Sequence, residues 1–134
     1  MSEPHVEAQR LWIPVTDFEW LLQNHRNHPQ KRAQKVKALR TKAGWMAKAE
    51  LLPMGPPVAV FARAYVRGGT LPDADAIAPM VKAVLDGIVD AQIIPDDSGQ
   101  YVHFLGYGKP ERDRSLKNPR RTLLVALTAN YQPF

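Results

Sequence analysis

Six aspartates lie between residues 73 and 97 of this chain, and Lys82 is the one basic residue among them. The whole sequence of 134 residues has 18 lysines and arginines against 13 acidic residues, which gives a net charge of +5. Carboxylates gathered without counter-charges repel one another, and a divalent cation held by their oxygens relieves that repulsion. This segment is therefore the first candidate for chemistry in an otherwise basic protein.

A pair of aspartates stands at each end of the segment. Asp73 and Asp75 are two residues apart, so in an extended backbone their carboxylates point the same way and can share one cation. Asp96 and Asp97 can supply further ligands if the intervening chain folds back as a helix. A metal ion in such a site activates a water or stabilises the leaving oxygen of a phosphodiester, and Lys82 would add positive charge near the transition state.

The same residues also have an interpretation without chemistry. The first pair of aspartates can cap a helix, and the sequence PDDSG around the second pair is typical of a turn. Lys82 and Asp86 have the spacing of an exposed helical ion pair, which is worth roughly 0.3 kcal/mol. The joint pattern, rather than any single aspartate, favours a metal site.

Hydrophobic periodicity predicts that a strand, a helix and a second strand carry these residues. VAVFARAYVR alternates as a half-covered strand does, and the apolar residues that follow Asp75 recur at helical spacing. Pro79 is tolerated only in the first turn, so this helix should begin near residues 76 to 79. The other predicted elements are a strand or arm within 11–23, a basic helix over 30–52, strands over 58–67, 101–108 and 122–131, and a charged connection over 109–121.

The order of a strand, PDAD, a lysine, LDGIVDAQIIPDDS and another strand resembles the RusA family of Holliday-junction resolvases, and the likeness covers most of the chain. The resemblance implies an α+β fold with a small mixed β-sheet and two main helices, assembled as a homodimer. It also implies Mg²⁺, with Mn²⁺ as the alternative, and paired nicks in four-way DNA junctions. By position, Asp73, Asp75 and Asp97 resemble the catalytic metal-binding carboxylates, Asp96 is a further candidate metal ligand, and Lys82 resembles the essential catalytic lysine.

Two features differ from the pattern of that family. Ala76 stands where the family has an asparagine after the D-x-D motif, and the gap from Asp75 to Lys82 is longer and contains Pro79. Asp86 matches an acid of the family's helix whose part in the reaction is less direct.

The basic residues lie mainly outside the acidic segment. The helix predicted over 30–52 reaches its first acid only at Glu50, and the connection over 109–121 carries a second basic patch. Clustered lysines and arginines gain free energy when they displace counterions from nucleic-acid phosphates. The residues expected to contact a DNA backbone are Lys31, Arg32, Lys35, Arg40, Lys42, Arg112, Arg114 and Lys117.

Composition narrows the class of protein further. The absence of cysteine excludes disulfides and thiolate chemistry, and no apolar run approaches the roughly 18 to 20 residues that cross a bilayer. We expect a single domain over 1–134, a cytoplasmic location and no membrane partner. The leading hypothesis is a Mg²⁺-dependent crossover junction endodeoxyribonuclease of recombination and repair. The alternatives are a catalytically inactive RusA-like protein that binds branched DNA, and a structural protein whose aspartates are all caps and turns.

Overall fold

Five strands and two helices make up the protein in the computed structural model, which describes residues 7–132. In chain order the elements are β1 (Ala8–Val15), α1 (Pro29–Glu50), β2 (Val58–Val66), α2 (Ala78–Asp90), β3 (Val102–Tyr107), β4 (Glu111–Arg112) and β5 (Arg121–Thr128). A turn of 3-10 helix, Ala74–Ile77, leads directly into α2. The predicted class, a small mixed α+β protein with two main helices, is confirmed.

The sheet has the order β1, β5, β2, β3, and β4 also pairs with β2. β5 runs antiparallel to both β1 and β2, whereas β3 and β4 run parallel to β2. Parallel neighbours need a long crossover, which α2 provides between β2 and β3. The carboxyl ends of β2, β3 and β4 therefore point towards the same end of the sheet.

The core lies between one face of the sheet and the two helices. Alternate residues of the strands are buried there, as the period of two in the sequence predicts. The strand residues in this core are Leu11, Ile13 and Val15 of β1, Val58, Val60, Ala62, Ala64 and Val66 of β2, and Leu123, Val125 and Leu127 of β5. Each buried valine or leucine side chain stabilises the fold by about 1.5 to 3 kcal/mol relative to exposure.

The two helices pack closely because glycines meet at their contact. A Cβ atom added to Gly87 of α2 would lie 2.5 Å from the carbonyl oxygen of Arg40 and 2.8 Å from the nitrogen of Gly44, both on α1. A glycine is therefore required at position 87, because the two helix backbones approach too closely there for a side chain. α1 begins at Pro29 and is capped by the preceding residue, His28. The imidazole Nδ1 of His28 accepts a hydrogen bond from the Gln30 N–H at 3.2 Å.

Several predicted boundaries need correction. β1 begins at Ala8, earlier than the segment 11–23 in which a first strand or arm was expected. The charged connection contains β4, which has only two residues and no periodicity of its own. The start of α2 is confirmed, with Pro79 in its first turn.

Among residues 7–132 no helix is both long enough and apolar enough to cross a membrane. α1 reaches 22 residues, but its lysines and arginines make it a poor match to hydrocarbon.

Replacing Gly87 with alanine should force the helices apart. Because the added methyl would overlap backbone atoms of α1, we expect the free energy of unfolding to fall by about 1 to 3 kcal/mol. Urea unfolding followed by circular dichroism measures the change. Gly99→Ala is the matched control, since a Cβ there meets no atom within 4 Å, and it should shift stability by less than about 0.5 kcal/mol. Equal stabilities of the two variants would contradict the proposed close contact.

Candidate functional site

The first pair of aspartates follows the carboxyl end of β2. Asp73 occupies the cap position of the 3-10 turn with an extended backbone, and its carbonyl oxygen accepts the N–H of Ala76 at 3.1 Å. Its carboxylate makes no capping hydrogen bond. Asp73 and Asp75 are both exposed. The cap interpretation is thus right for the position of Asp73 and wrong for its side chain.

Asp75 lies near the end of β3. Burial raises the pKa of Tyr107, the last residue of β3, and the negative charge of Asp75 raises it further. The 3-10 turn that carries Asp75 contacts both β2 and β3. The first aspartate pair is therefore fixed at the carboxyl ends of two parallel strands, the end at which open sheets with parallel strands bind ligands.

Lys82, in the second turn of α2, joins the second aspartate pair. Its ammonium lies 3.0 Å from Oδ1 of Asp86 and also contacts Oδ2 of Asp97, fifteen residues further along the chain. The hydrogen bond to Asp97 is the main reason that the pKa of Lys82 is raised. The same contact is the main reason that the pKa of Asp97 is lowered. The chain after α2 therefore folds back so that Asp97 meets Lys82.

Buried isoleucines hold the loop that carries Asp97. After α2 ends, Gln92 adopts a left-handed backbone with φ of 63°, which turns the chain back. Ile93 then donates its N–H to the carbonyl of Ile88 at 3.2 Å, and its own carbonyl accepts the N–H of Met54 at 2.8 Å. Since Ile93 and Ile94 are both buried, the loop is anchored in the core a few residues before Asp97.

Asp96 has a local function in this loop. Its Oδ1 accepts the backbone N–H of Asp97 at 2.8 Å. Asp96 therefore already has a backbone partner within the PDDSG turn.

An arginine of α1 completes a charge cluster, defined here as Arg40, Lys82, Asp86, Asp90 and Asp97. Arg40 forms two hydrogen bonds to Asp90, at 2.7 and 2.8 Å, and its NH1 lies 4.0 Å from Asp86. The bond to Asp90 raises the pKa of Arg40 and lowers that of Asp90. Arg40 was expected to face DNA, but its charge is already matched within the protein.

The carboxylates suit a hard cation chemically, because Mg²⁺ and Mn²⁺ prefer oxygen ligands. Within the described range, however, no three histidine, aspartate or glutamate side chains form a group that could hold a metal. Nor does a hydrogen bond or ion pair between described residues join Asp73 or Asp75 to the charge cluster. A metal site shared by Asp73, Asp75, Asp96 and Asp97 stays a prediction.

The cationic face predicted for α1 is smaller than expected. Lys35 is only 8% exposed, and its ammonium donates to the carbonyl of Phe18 and lies 4.8 Å from that ring's centre. The prediction that Lys35 lies on the open face is wrong, because its apolar stem is buried while its ammonium finds a backbone acceptor. Lys42 pairs with Glu19 at 2.5 Å and also donates to the carbonyl of Pro14.

Glu19 is the partner that sequence reasoning missed. Burial raises its pKa, but the hydrogen bonds from Lys42 and Thr16 outweigh burial, so the net pKa is lowered. The remaining residues predicted to contact DNA are more open: Arg32 is half-buried, and Lys31, Arg112, Arg114 and Lys117 are exposed. The accessible and unpaired members of the predicted DNA-binding set therefore lie at the start of α1 and around β4.

No protein-family model matches the chain, and no curated protein is significantly similar to it in sequence. Its function is therefore proposed from the geometry of its own residues together with the resemblance noted in the sequence.

Replacing Asp97 with asparagine should weaken the fold in a pH-dependent way. Because the pKa of Asp97 is lowered in the folded state, its contribution to stability is present above the unfolded-state pKa, about 3.9, and is lost as the pH falls through the lowered value. We expect Asp97→Asn to reduce the free energy of unfolding by up to about 1 kcal/mol at neutral pH, as for an exposed ion pair. Urea titrations at neutral pH and at about pH 2 measure the difference.

The matched control for that comparison is Asp73→Asn, which removes an exposed carboxylate that makes no capping hydrogen bond. It should change stability little at either pH. If Asp97→Asn lowers the free energy of unfolding as much in acid as at neutral pH, loss of the ion pair is not the cause.

Proposed function

We propose that this chain is a Mg²⁺-dependent endonuclease that resolves four-way junctions and other branched DNA by paired hydrolysis of phosphodiesters. The observation that supports this most is the contact between Lys82 and Asp97. These two residues are distant in sequence, and the resemblance to RusA resolvases assigns both to one catalytic site. A lysine that serves only solubility does not need to contact an aspartate fifteen residues away, as Lys82 contacts Asp97.

In this proposal Asp73, Asp75 and Asp97, with Asp96 as a further ligand, hold the divalent ion. When bound, the ion would supply a Lewis acid and an activated water. Asp73, Asp96 and Asp97 lie in connections next to regular elements, and Asp75 lies in the 3-10 turn. Catalytic groups are commonly carried in such segments by a rigid scaffold.

Lys82 has the properties required of a group that stabilises negative charge on a phosphate. Its raised pKa keeps the ammonium charged at neutral pH, and its side chain is 61% exposed, within reach of a bound DNA strand. An exposed ion pair contributes only about 0 to 1 kcal/mol. Lys82 can therefore exchange a carboxylate for a phosphate oxygen at little cost in stability.

The open basic residues would position the DNA. Lys31 and Arg32 lie at the start of α1, and Arg112, Arg114 and Lys117 lie around β4 and the loop that follows. Long cationic side chains on a surface bind the sugar-phosphate backbone without reading bases. Such binding suits a substrate that is distinguished by its branched shape.

A second candidate is a catalytically inactive protein that binds branched DNA. It is favoured by the existing partners of the second aspartate pair: Asp97 faces the ammonium of Lys82, and Asp96 accepts a backbone N–H. A protein in which Asp96 and Asp97 always kept these partners would retain its basic surfaces but would not cut DNA.

Cleavage of a synthetic four-way junction distinguishes the two candidates. With Mg²⁺ we expect symmetric nicks, and none when the ion is chelated. Lys82→Ala should reduce the cleavage rate by about 100- to 1,000-fold, the usual effect of removing a group that stabilises transition-state charge, and Asp75→Asn by at least about 100-fold. Junction binding, read by fluorescence anisotropy, should persist in both variants.

Glu50→Gln and Lys48→Ala are the matched controls, because both residues are exposed at the far end of α1. They should cut at the wild-type rate. Junction binding by the wild type without nicks, at any concentration of Mg²⁺ or Mn²⁺, would reject the endonuclease and support the inactive protein. Neither binding nor cutting would reject both.

We also propose that the protein is a homodimer formed through the outer face of the sheet, the face that the helices do not cover. Trp12 and Phe61 are 47% and 43% exposed there, and Phe104 stacks beside Phe61 with ring centres 5.0 Å apart. Exposed aromatic clusters of this kind mark interaction surfaces, and a two-fold dimer would supply the two active sites that paired nicks need.

Phe61→Lys should dissociate that dimer, because it places a charge in the centre of the apolar face. Sedimentation equilibrium at micromolar protein should give twice the chain mass for the wild type and the single-chain mass for the variant. Trp45→Lys, which changes an aromatic residue of α1 that is 71% exposed, should remain dimeric. A wild-type protein that sediments as a monomer would reject the dimer.

A further inference from the structure

Five arginines surround a cavity at the end of the sheet where β2 finishes. The cavity has a volume of about 740 Å³, and two glycines, Gly68 and Gly69, form part of its wall. The arginines that line it are Arg67, Arg112, Arg114, Arg120 and Arg121. We call this the arginine pocket. The basic patch predicted over 109–121 includes Arg112, Arg114, Arg120 and Arg121, but the sequence does not indicate that Arg67 joins them.

The pairing of three strands holds the pocket together. Arg112 of β4 and Arg121 of β5 are both in register with Val66, the last residue of β2. Arg67 follows Val66 directly, and its N–H donates to the carbonyl of Arg120 at 2.9 Å. The backbones of these arginines are thus fixed relative to one another by the hydrogen bonds of the sheet rather than by a flexible loop.

Little negative charge balances these guanidinium groups. Asp17 pairs with Arg121 at 2.7 Å, and Arg121 also lies over the ring of Trp20, 4.9 Å from its centre. Asp113, which is close in sequence, accepts the N–H of Ser115 at 2.9 Å. Across residues 7–132 the other four arginines of the pocket form no ion pair. Such a concentration of like charge favours an anionic ligand.

The glycines keep the wall of the pocket open. Gly69 has a φ of 82°, in the left-handed region that favours glycine, and a Cβ at Gly68 or Gly69 would face open space. The chain therefore turns away from β2 without a side chain entering the cavity at these two positions. A bulky anion can approach the backbone there.

We infer that the arginine pocket binds consecutive phosphates of a DNA backbone. The planar guanidinium group presents two parallel N–H donors that match the oxygens of a phosphate, and arginine is the residue best suited to this bidentate contact. A cavity of this volume, lined by five guanidinium groups, exceeds what one phosphate needs. The choice of DNA over another polyphosphate rests on the proposed function.

The pocket also lies near the first aspartate pair. Gly69 and Asp73 are separated by four residues, which can span at most about 14 Å. A DNA strand rises by about 3.4 Å per nucleotide, so the two positions are no more than about four nucleotides apart. The pocket would thus hold the strand that passes Asp73 and Asp75, a few phosphates from them.

The salt dependence of DNA binding tests this inference without reference to cleavage. With divalent ions chelated, the affinity for a four-way junction is measured by anisotropy from about 50 to about 200 mM NaCl. The double variant Arg67→Gln with Arg120→Gln should lose about two phosphate contacts, which lowers the slope of log K against log salt by about 1.8. Over this range the wild-type affinity should fall about 12-fold more than that of the variant.

A double variant with the same loss of charge serves as the control. Lys37→Gln with Lys48→Gln removes two exposed cations of α1 that belong neither to the pocket nor to the residues expected to contact DNA, and it should keep the wild-type slope. If the pocket variant has the wild-type slope, or if the control loses as much slope as the pocket variant, the inference is wrong.

Lysine substitution separates guanidinium recognition from charge alone. Arg67→Lys with Arg120→Lys keeps both charges, so its slope should match the wild type, but its affinity should be lower at every salt concentration because lysine cannot make the bidentate contact. An affinity equal to that of the wild type would show that the pocket acts only as a positive surface, and would overturn the inference of a built phosphate site.

Inorganic phosphate distinguishes a failure of the inference from a failure of the proposed function. If the variants lose DNA affinity as expected but the junction is never cut, the pocket is supported and the endonuclease is rejected. If the wild type binds no DNA while inorganic phosphate raises its melting temperature relative to chloride of equal ionic strength, and the pocket variant loses that shift, the site binds a smaller phosphate. The inference of a DNA backbone is then overturned.

Discussion

The structure depends on the pairing of β2 with its neighbours. β2 hydrogen-bonds to β5 along one edge and to β3 and then β4 along the other, so its direction fixes the direction of every other central strand. The residues that follow its last buried valine, Val66, include Arg67 at the cavity and Asp73 at the 3-10 turn. One strand end thus positions both the basic and the acidic candidates.

The contact between the helices determines the electrostatics of the candidate site. Because Gly44 and Gly87 allow the two backbones to approach, Arg40 reaches Asp90 and lies close to Asp86. Asp86 is also a partner of Lys82, so the charges of the two helices and of the following loop are coupled. The basic helix α1 and the acidic residues of α2, which look unmatched in the sequence, thus compensate each other in part.

The sequence predicts the features that depend on local periodicity and misses those that depend on distant contacts. The alternation of β2 and the start of α2 within residues 76 to 79 were predicted correctly. The sequence also singled out Asp97 and Lys82 as candidates, but their contact with each other is a finding of the structure. β4 was missed because two residues form a strand only through their pairing with β2. The burial of Lys35 was missed because its acceptor, the carbonyl of Phe18, lies in a segment without regular structure. The arginine pocket likewise exists only through the register of three strands.

Both edges of the sheet resist the addition of a further strand. β1 contains Pro14, which has no N–H to donate, and the opposite edge is interrupted between β3 and β4, where Pro110 is buried. Short, interrupted or proline-containing edges are the usual protection against edge-to-edge aggregation. Self-association of this protein through backbone hydrogen bonds is accordingly disfavoured, which leaves contacts between side chains as the means by which two copies can meet.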